Sequence, residues 1–358
     1  MPVDGQGCGA LLQNGSRRQE RSEARCGHAS VRRPRAFCAS CCSGTSCTCQ
    51  CGSCFCTCTG CACRTRSQRR GQKILIPRRP RLTAAQACLT CPVDVTDEYG
   101  QTRTISIPAE RPLTVYVDKR ELVTLMTLGG HPEWLVLGYL RNQRLVESLD
   151  EIESVTVDWE VGAAAVKTRT GIDRIEEKTA SRVVTTGCGQ GSMFGDLMQD
   201  VDRLRLPVHA SLRQSQLQGI VNTIRLQEST YKSAGSVHGC ALFRGDELLL
   251  FVEDVGRHNA VDTIAGWMWL HDSPQTPMRG DDKVFYTTGR LTSEMVIKSA
   301  QMGVPVVVSR SGMTQMGLDV AQRVGLCAIG RATNKRFLCF THPQRLVMDA
   351  VQPLPELV

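Results

Sequence analysis

A single cysteine stands inside a glycine-rich turn at TTGCGQGSMFGDL, residues 185–197, directly after the apolar pair Val183–Val184. A thiolate is the form of cysteine that attacks or carries sulfur. It is favoured where backbone N–H groups converge on it, an arrangement that Gly187, Gly189 and Gly191 permit. Small neighbours also let the cysteine of another protein come within bonding distance. Cys188 is therefore the candidate sulfur-bearing thiol. A buried cysteine packing as a small hydrophobe is the alternative, which glycines in place of Val or Leu disfavour.

Four other segments have the chemistry to hold an anion. After LLLFV comes EDVGRHNAVD, after VFYTT comes GRLTSEM, after VPVVV comes SRSGMT, and after LCAI comes GRATNKR. Each sets an arginine (Arg257, Arg290, Arg310, Arg331) beside or near a glycine, and two run on into a helix through a Ser or Thr able to cap it. Glycine allows close backbone approach, first-turn N–H groups favour an anion, and arginine supplies a charged fork for phosphate oxygens. A phosphate-rich ligand follows if the four loops share one rim; a capped helix start with a solvated Arg is the alternative for each.

The elements around these segments must place them. An N-terminal α+β portion over 95–180 is expected: a strand at 113–117, a buried helix in HPEWLVLGYLRNQRLV, and a hairpin turning around Trp159–Gly162. The portion over 181–350 opens with the Cys188 loop. There follow a long helix with Ser211 as its N-cap and a hairpin through VHGCALF and LLLFVED. Helices at 257–270, 292–302 and 314–324 then alternate with strands, and RFLCF closes the series. Alternation of this kind implies parallel pairing and right-handed crossovers, with ligands at the carboxyl ends of strands. The fold class is α/β.

Composition splits the chain. Of 19 cysteines, 15 lie at or before Cys91 and eleven fall between Cys38 and Cys63; residues 1–81 hold 15 Lys/Arg against 3 Asp/Glu. Residues 1–90 read as a basic, Cys-rich extension with too few aliphatic residues for a core, open to soft-metal binding through its thiolates. A start placed too early is a further reading, although no Met lies between Met1 and Met126. Cys88 and Cys91 form one CxxC, half a zinc site. No signal peptide and no run of about 18 apolar residues is present, so a soluble, cytoplasmic protein with no membrane or nucleic-acid partner is expected.

Taken together, CGQG at 188–191, SVHGCALF at 236–243, EDVGRHNAVD at 253–262, YTTGRLTSEMVIKSAQMGVPVVVSRSGMT at 286–314 and THPQRL at 341–346 resemble the FdhD family, the formate dehydrogenase accessory sulfurtransferases. The resemblance covers residues 105–350 in the family's order. It implies a cytidine deaminase-like three-layer C-terminal domain with a smaller N-terminal α+β portion, and a homodimer. It also implies that persulfide sulfur is taken from a cysteine desulfurase and passed to the bis-molybdopterin guanine dinucleotide cofactor for formate dehydrogenase. On this resemblance Cys188 carries the sulfur. Ile329, Gly330, Arg331, Ala332, Thr333 and Asn334, read as a loop, contact the cofactor.

The chain departs from the family where many members have CxxC, because Gly191 replaces the second cysteine. Either one thiol suffices or another substitutes; Cys240 is the obvious candidate but its strand context reads as core, as do those of Cys327 and Cys339. Zinc deamination lacks its signature, since His238–Gly239–Cys240 has no Glu and CGQG no second Cys. A Cys–His hydrolase built from Cys188 with His238 or His258 has no specified substrate. A chaperone that binds the cofactor without transferring sulfur is the leading alternative. Asp254 and His258 read as positioning groups or as a structural hydrogen-bond network.

Overall fold

In this computed structural model residues 79–172, 183–184, 191–192 and 201–349 are described, all within one compact unit, Lys73–Val358. Residues 1–78 of the Cys-rich extension and Cys188 itself lie outside the described residues.

The N-terminal portion is a five-stranded sheet in the order β1-β6-β7-β4-β5, where β1 is Arg81–Leu82, β4 Arg111–Val117, β5 Arg120–Thr127, β6 Ile152–Asp158 and β7 Ala163–Thr168. The alternation of LTVYV puts Leu113, Val115 and Val117 inward, each at most 1% exposed. Helix α1, Pro132–Asn142, packs on that face. Pairing begins within the stretch that composition assigned to the extension: Arg81 and Leu82 run parallel to Ser154 and Val155. Thr83 Oγ1 and the Ala85 N–H donate to Glu133 at the start of α1 (2.6 and 2.7 Å). A separate antiparallel ribbon, β2 (Thr90–Thr96) and β3 (Thr102–Pro108), has no counterpart in the sequence reading.

Two short pairs lie outside the main sheets. Strands β8 (Val183–Val184) and β9 (Gly191–Ser192) are antiparallel, so the segment holding Cys188 is bracketed by a ladder. Strand β10, Leu212–Arg213, runs parallel to Leu346–Val347. This pairing corrects the expected N-cap: Leu212 is buried and held in the ladder, so helix α2 starts only at Gln214 and runs to Leu226, with Arg213 at the cap position. The Ser215 N–H and hydroxyl are satisfied instead by Asp349 (2.8 and 2.6 Å). The five-residue helix α3, Thr230–Ala234, follows α2.

The second sheet has six strands in the order β12-β11-β13-β14-β15-β16. These are β11 His238–Arg244, β12 Glu247–Asp254, β13 Lys283–Thr287, β14 Val306–Ser309, β15 Cys327–Thr333 and β16 Arg336–Cys339. The pairs β13–β14 and β14–β15 are parallel, and the flanking pairs antiparallel. Near-continuous apolar runs such as VPVVV suit strands covered on both faces. One face packs against α4 (Arg257–His271), α5 (Ser293–Gln301) and α6 (Gln315–Val324), the other against α2. The chain is therefore a mixed α/β protein, with its parallel strands where the alternation places them.

Helix α4 is buried along most of its length because it lies between the second sheet and α1. The crossing is close: a Cβ on Gly138 would stand 1.7 Å from the Asp262 carbonyl oxygen, and one on Gly266 would stand 1.9 Å from that of Trp134. Alanine favours an isolated helix over glycine by about 1 kcal/mol, but here it must push two helices apart. Gly266→Ala is expected to lower stability by about 3 kcal/mol or more in urea unfolding, the overpacking term winning over propensity. Unchanged or increased stability would mean that the crossing is loose.

Candidate cofactor-binding rim and thiol loop

The four arginine-bearing segments do meet. Strands β12, β13, β14 and β15 all point their carboxyl ends to one edge of the second sheet, and β11 begins there with His238. Backbone bonds stitch the segments together: Arg310 N–H donates to Thr287 O (3.0 Å), Arg331 N–H to Ser311 O (2.9 Å) and Leu291 N–H to Gly312 O (3.0 Å). Side-chain hydroxyls add to this, Ser309 to Gly289 O (2.7 Å) and Ser311 to Thr288 O (2.8 Å). Arg290, Arg310 and Arg331 are exposed on this rim, while Arg257 is buried beneath it.

The glycines have different causes from the one their composition suggests. A Cβ at Gly289 would meet the Arg257 side chain at 2.8 Å, and one at Gly330 would meet the Phe340 ring at 2.7 Å and Ser311 O at 2.9 Å. Both are required by the protein's own packing. At Gly312 nothing lies within 4 Å of the missing Cβ, so this backbone alone of the three is open to an incoming group.

Helices α4, α5 and α6 begin at the rim and present first-turn N–H groups there. Thr314 caps α6 by accepting from the Gly317 N–H (3.2 Å). Thr292, at the cap position of α5, makes no such bond, and its buried hydroxyl has no hydrogen-bond partner among the described residues. The Thr292 hydroxyl therefore lies beside the first turn of α5 as a buried donor without a partner among the described residues.

Ile329–Thr333 belong to β15 rather than to a loop, with a bulge between Gly330 and Thr333. Ile329 and Ala332 are core residues, 0% and 2% exposed. Arg331, held at φ 52°, Thr333 and Asn334 face solvent. The bulge puts Arg331 in the left-handed region and so turns a strand residue toward the rim.

Asp254 is the hub beneath these loops. At 3% exposure its carboxylate accepts from the Thr127 hydroxyl (2.5 Å), Leu128 N–H (3.1 Å), Gly256 N–H (3.0 Å) and Asn259 Nδ2 (2.9 Å). Burial raises its pKa and the four donors oppose that rise. Its hydrogen bonds tie β5 to the start of α4. His258 lies one turn on, with Nε2 3.1 Å from Glu294 Oε2. Glu294 is 3.5 Å from Lys298, which bonds Asp262 (2.8 Å), which accepts from Asn142 (2.7 Å). Half-buried His238 faces the same rim, its pKa lowered by burial and then by the charges of Arg257 and Arg290.

Cys240 is fully buried, donates to Thr287 Oγ1 (3.3 Å), and has its thiol pushed up to about 12 by burial. It is a core thiol and unsuited to carrying sulfur. The THPQRL segment acts as a latch. Thr341 bridges Leu326 O and the Ala328 N–H, and buried Arg345 donates to the carbonyls of Gly325, Pro207 and Ala210.

These motifs sit in a matching frame. The FdhD/NarQ family model matches residues 108–347, two thirds of the chain. The chain belongs to the FdhD/NarQ family. It is 30% identical over 251 residues to the sulfur carrier protein FdhD of Bacillus pumilus, covering 68% of this chain and 91% of that one. It is 31% identical to the protein of the same name from Bacillus subtilis, covering 66% and 88%. A crystal structure from Desulfotalea psychrophila, of a protein assigned as a formate dehydrogenase accessory protein, shares the fold with a TM-score of 0.57 at 24% identity, over 72% of this chain and 98% of that one. No helix among the described residues is long and apolar enough to cross a membrane.

Burial holds the His258 pKa down at about 3 against an ordinary 6.5, although Glu294 pulls it upward. Below pH 6.5 the unfolded chain binds a proton that the folded chain refuses, so this contribution is whole above pH 6.5 and is lost as pH falls toward 3. Between pH 7 and 5 the wild-type protein should lose about 2 kcal/mol more stability than His258→Gln, a comparison that cancels the opposite slopes of Asp254 and Asp262. Parallel pH slopes in urea unfolding would show that His258 takes up its proton in the folded state as readily as in the unfolded chain.

Proposed function

We propose that this FdhD/NarQ family member is a sulfurtransferase in the service of formate dehydrogenase. Cys188 accepts sulfur from the persulfide of a cysteine desulfurase: its thiolate attacks the outer sulfur, the donor's S–S bond breaks, and the donor cysteine leaves as a thiol. The sulfur then passes to the bis-molybdopterin guanine dinucleotide cofactor, here a substrate, before the cofactor enters formate dehydrogenase. The reading carries with it a cytoplasmic homodimer and a C-terminal domain of the cytidine deaminase-like three-layer kind.

The observation that carries this reading is the convergence of the exposed Arg290, Arg310 and Arg331 segments, with the starts of α4, α5 and α6, on one rim. A dinucleotide with two diphosphates is the kind of polyanion that such a rim holds, and planar guanidinium forks read phosphate oxygens in pairs. A second reading, a chaperone that binds the cofactor and transfers no sulfur, is favoured by one feature, Gly191 in place of a second cysteine.

Two variants separate these readings. Cys188→Ser should keep GDP binding, GDP standing for half of the cofactor, and should fail to support formate dehydrogenase activity; full activity leaves the chaperone reading. Arg331→Ala should weaken GDP binding in calorimetry by about 1.5–3 kcal/mol, the worth of a charged hydrogen bond, with persulfide loading unchanged. Unaltered GDP affinity would remove Arg331 from the site.

A further inference from the structure

Two thiols meet at the open end of the last hairpin, away from the rim. Cys327 opens β15, Cys339 closes β16, and their sulfurs are 3.8 Å apart. Ile329 stands directly across the ladder from Cys339. Residues two apart on a strand share a face, so Cys327 and Cys339 are diagonal neighbours on one side of the sheet. Both are free; Cys327 is 0% exposed, whereas Cys339 lies on the edge strand and is partly exposed. The thiols are unequal. The contact between them holds Cys339 below the usual thiol range and Cys327 above it.

We propose that Cys339 and Cys327 form a dithiol modification site, which reacts with small-molecule disulfides and closes into an intrachain disulfide between the last two strands. Cys339 meets solvent and attacks first: its sulfur bonds to one sulfur of R–S–S–R, that bond breaks, and one RSH leaves. Once Cys339 is in the mixed disulfide, the contact that chiefly raised the Cys327 thiol is gone, and Cys327 attacks the Cys339 sulfur, expelling the second RSH. Two electrons pass to the small disulfide, and the two thiol protons end on the two released thiols. The sulfurs must approach by about 1.8 Å to reach bonding distance, and because diagonal neighbours stand about 7–8 Å apart the edge strand β16 must shift with its side chain. Arg345, whose charge favours the Cys327 thiolate, assists the second step.

The site is tested on the full chain with glutathione disulfide as the probe, followed by alkylation of remaining thiols and peptide mapping. Exposed Cys88 and Cys91 report simple accessibility and buried Cys240 reports unfolding. The expected result is a Cys327–Cys339 linked peptide, with loss of both from the alkylated pool while Cys240 stays protected. In Cys327→Ala, Cys339 should instead retain glutathione. Recovery of Cys327 and Cys339 as free thiols while Cys88 and Cys91 are modified overturns the proposal. So does a lasting mixed disulfide on Cys339 in the wild-type chain. The wild-type map decides even if the variant fails to fold.

Discussion

The Lys298 ammonium is fully buried, and the fold is arranged so that it is never alone. Asp262, equally buried, takes it at 2.8 Å from α4, Glu294 stands 3.5 Å away on its own helix α5, and Asn142 of α1 completes the Asp262 carboxylate. Stranding a charge at such a site costs several kcal/mol, so α1, α4 and α5 must converge at one separation and one rotation. The glycines at 138 and 266 make that separation possible. Because α1 belongs to the first sheet and α4 and α5 to the second, the Asn142–Asp262 hydrogen bond carries this buried network across to the first portion.

The same chain of charges reaches the rim. Glu294 contacts Lys298 on one side and His258 on the other, and His258 follows Arg257 at the start of α4. Asp254 anchors that helix start to Thr127 and Leu128. The start of α4 at the rim is thus set by buried polar groups, while the other rim segments are held to one another by backbone bonds and by the Ser309 and Ser311 hydroxyls. On the proposed function, an edge built on such support is held in place before the cofactor arrives, which lowers the ordering cost of binding.

Sequence reasoning read the second sheet well, because its strands are near-continuous apolar runs and its helices start after Gly or Thr. It also united the four arginine segments and assigned Cys240 to the core. It missed the β2–β3 ribbon because the alternation there is short, Val93 with Val95 and Ile105 with Ile107, and the strands are largely exposed. It treated 329–334 as a loop because glycine and arginine there resemble turn chemistry, whereas a bulge accommodates them within a strand. The buried charges were out of reach: Glu294 and Lys298, four residues apart on a helix, look like an ordinary surface pair until another helix is known to cover them. The reason for Gly289 was equally hidden, since a side chain distant in sequence occupies the space its Cβ would need.

The central claim is that the thiol in the glycine turn carries sulfur. The full chain, incubated with a cysteine desulfurase and cysteine and then mapped without reduction, tests it directly. The account predicts one additional sulfur atom on the peptide that contains Cys188. Additional sulfur only on other cysteines, or on none, would contradict it.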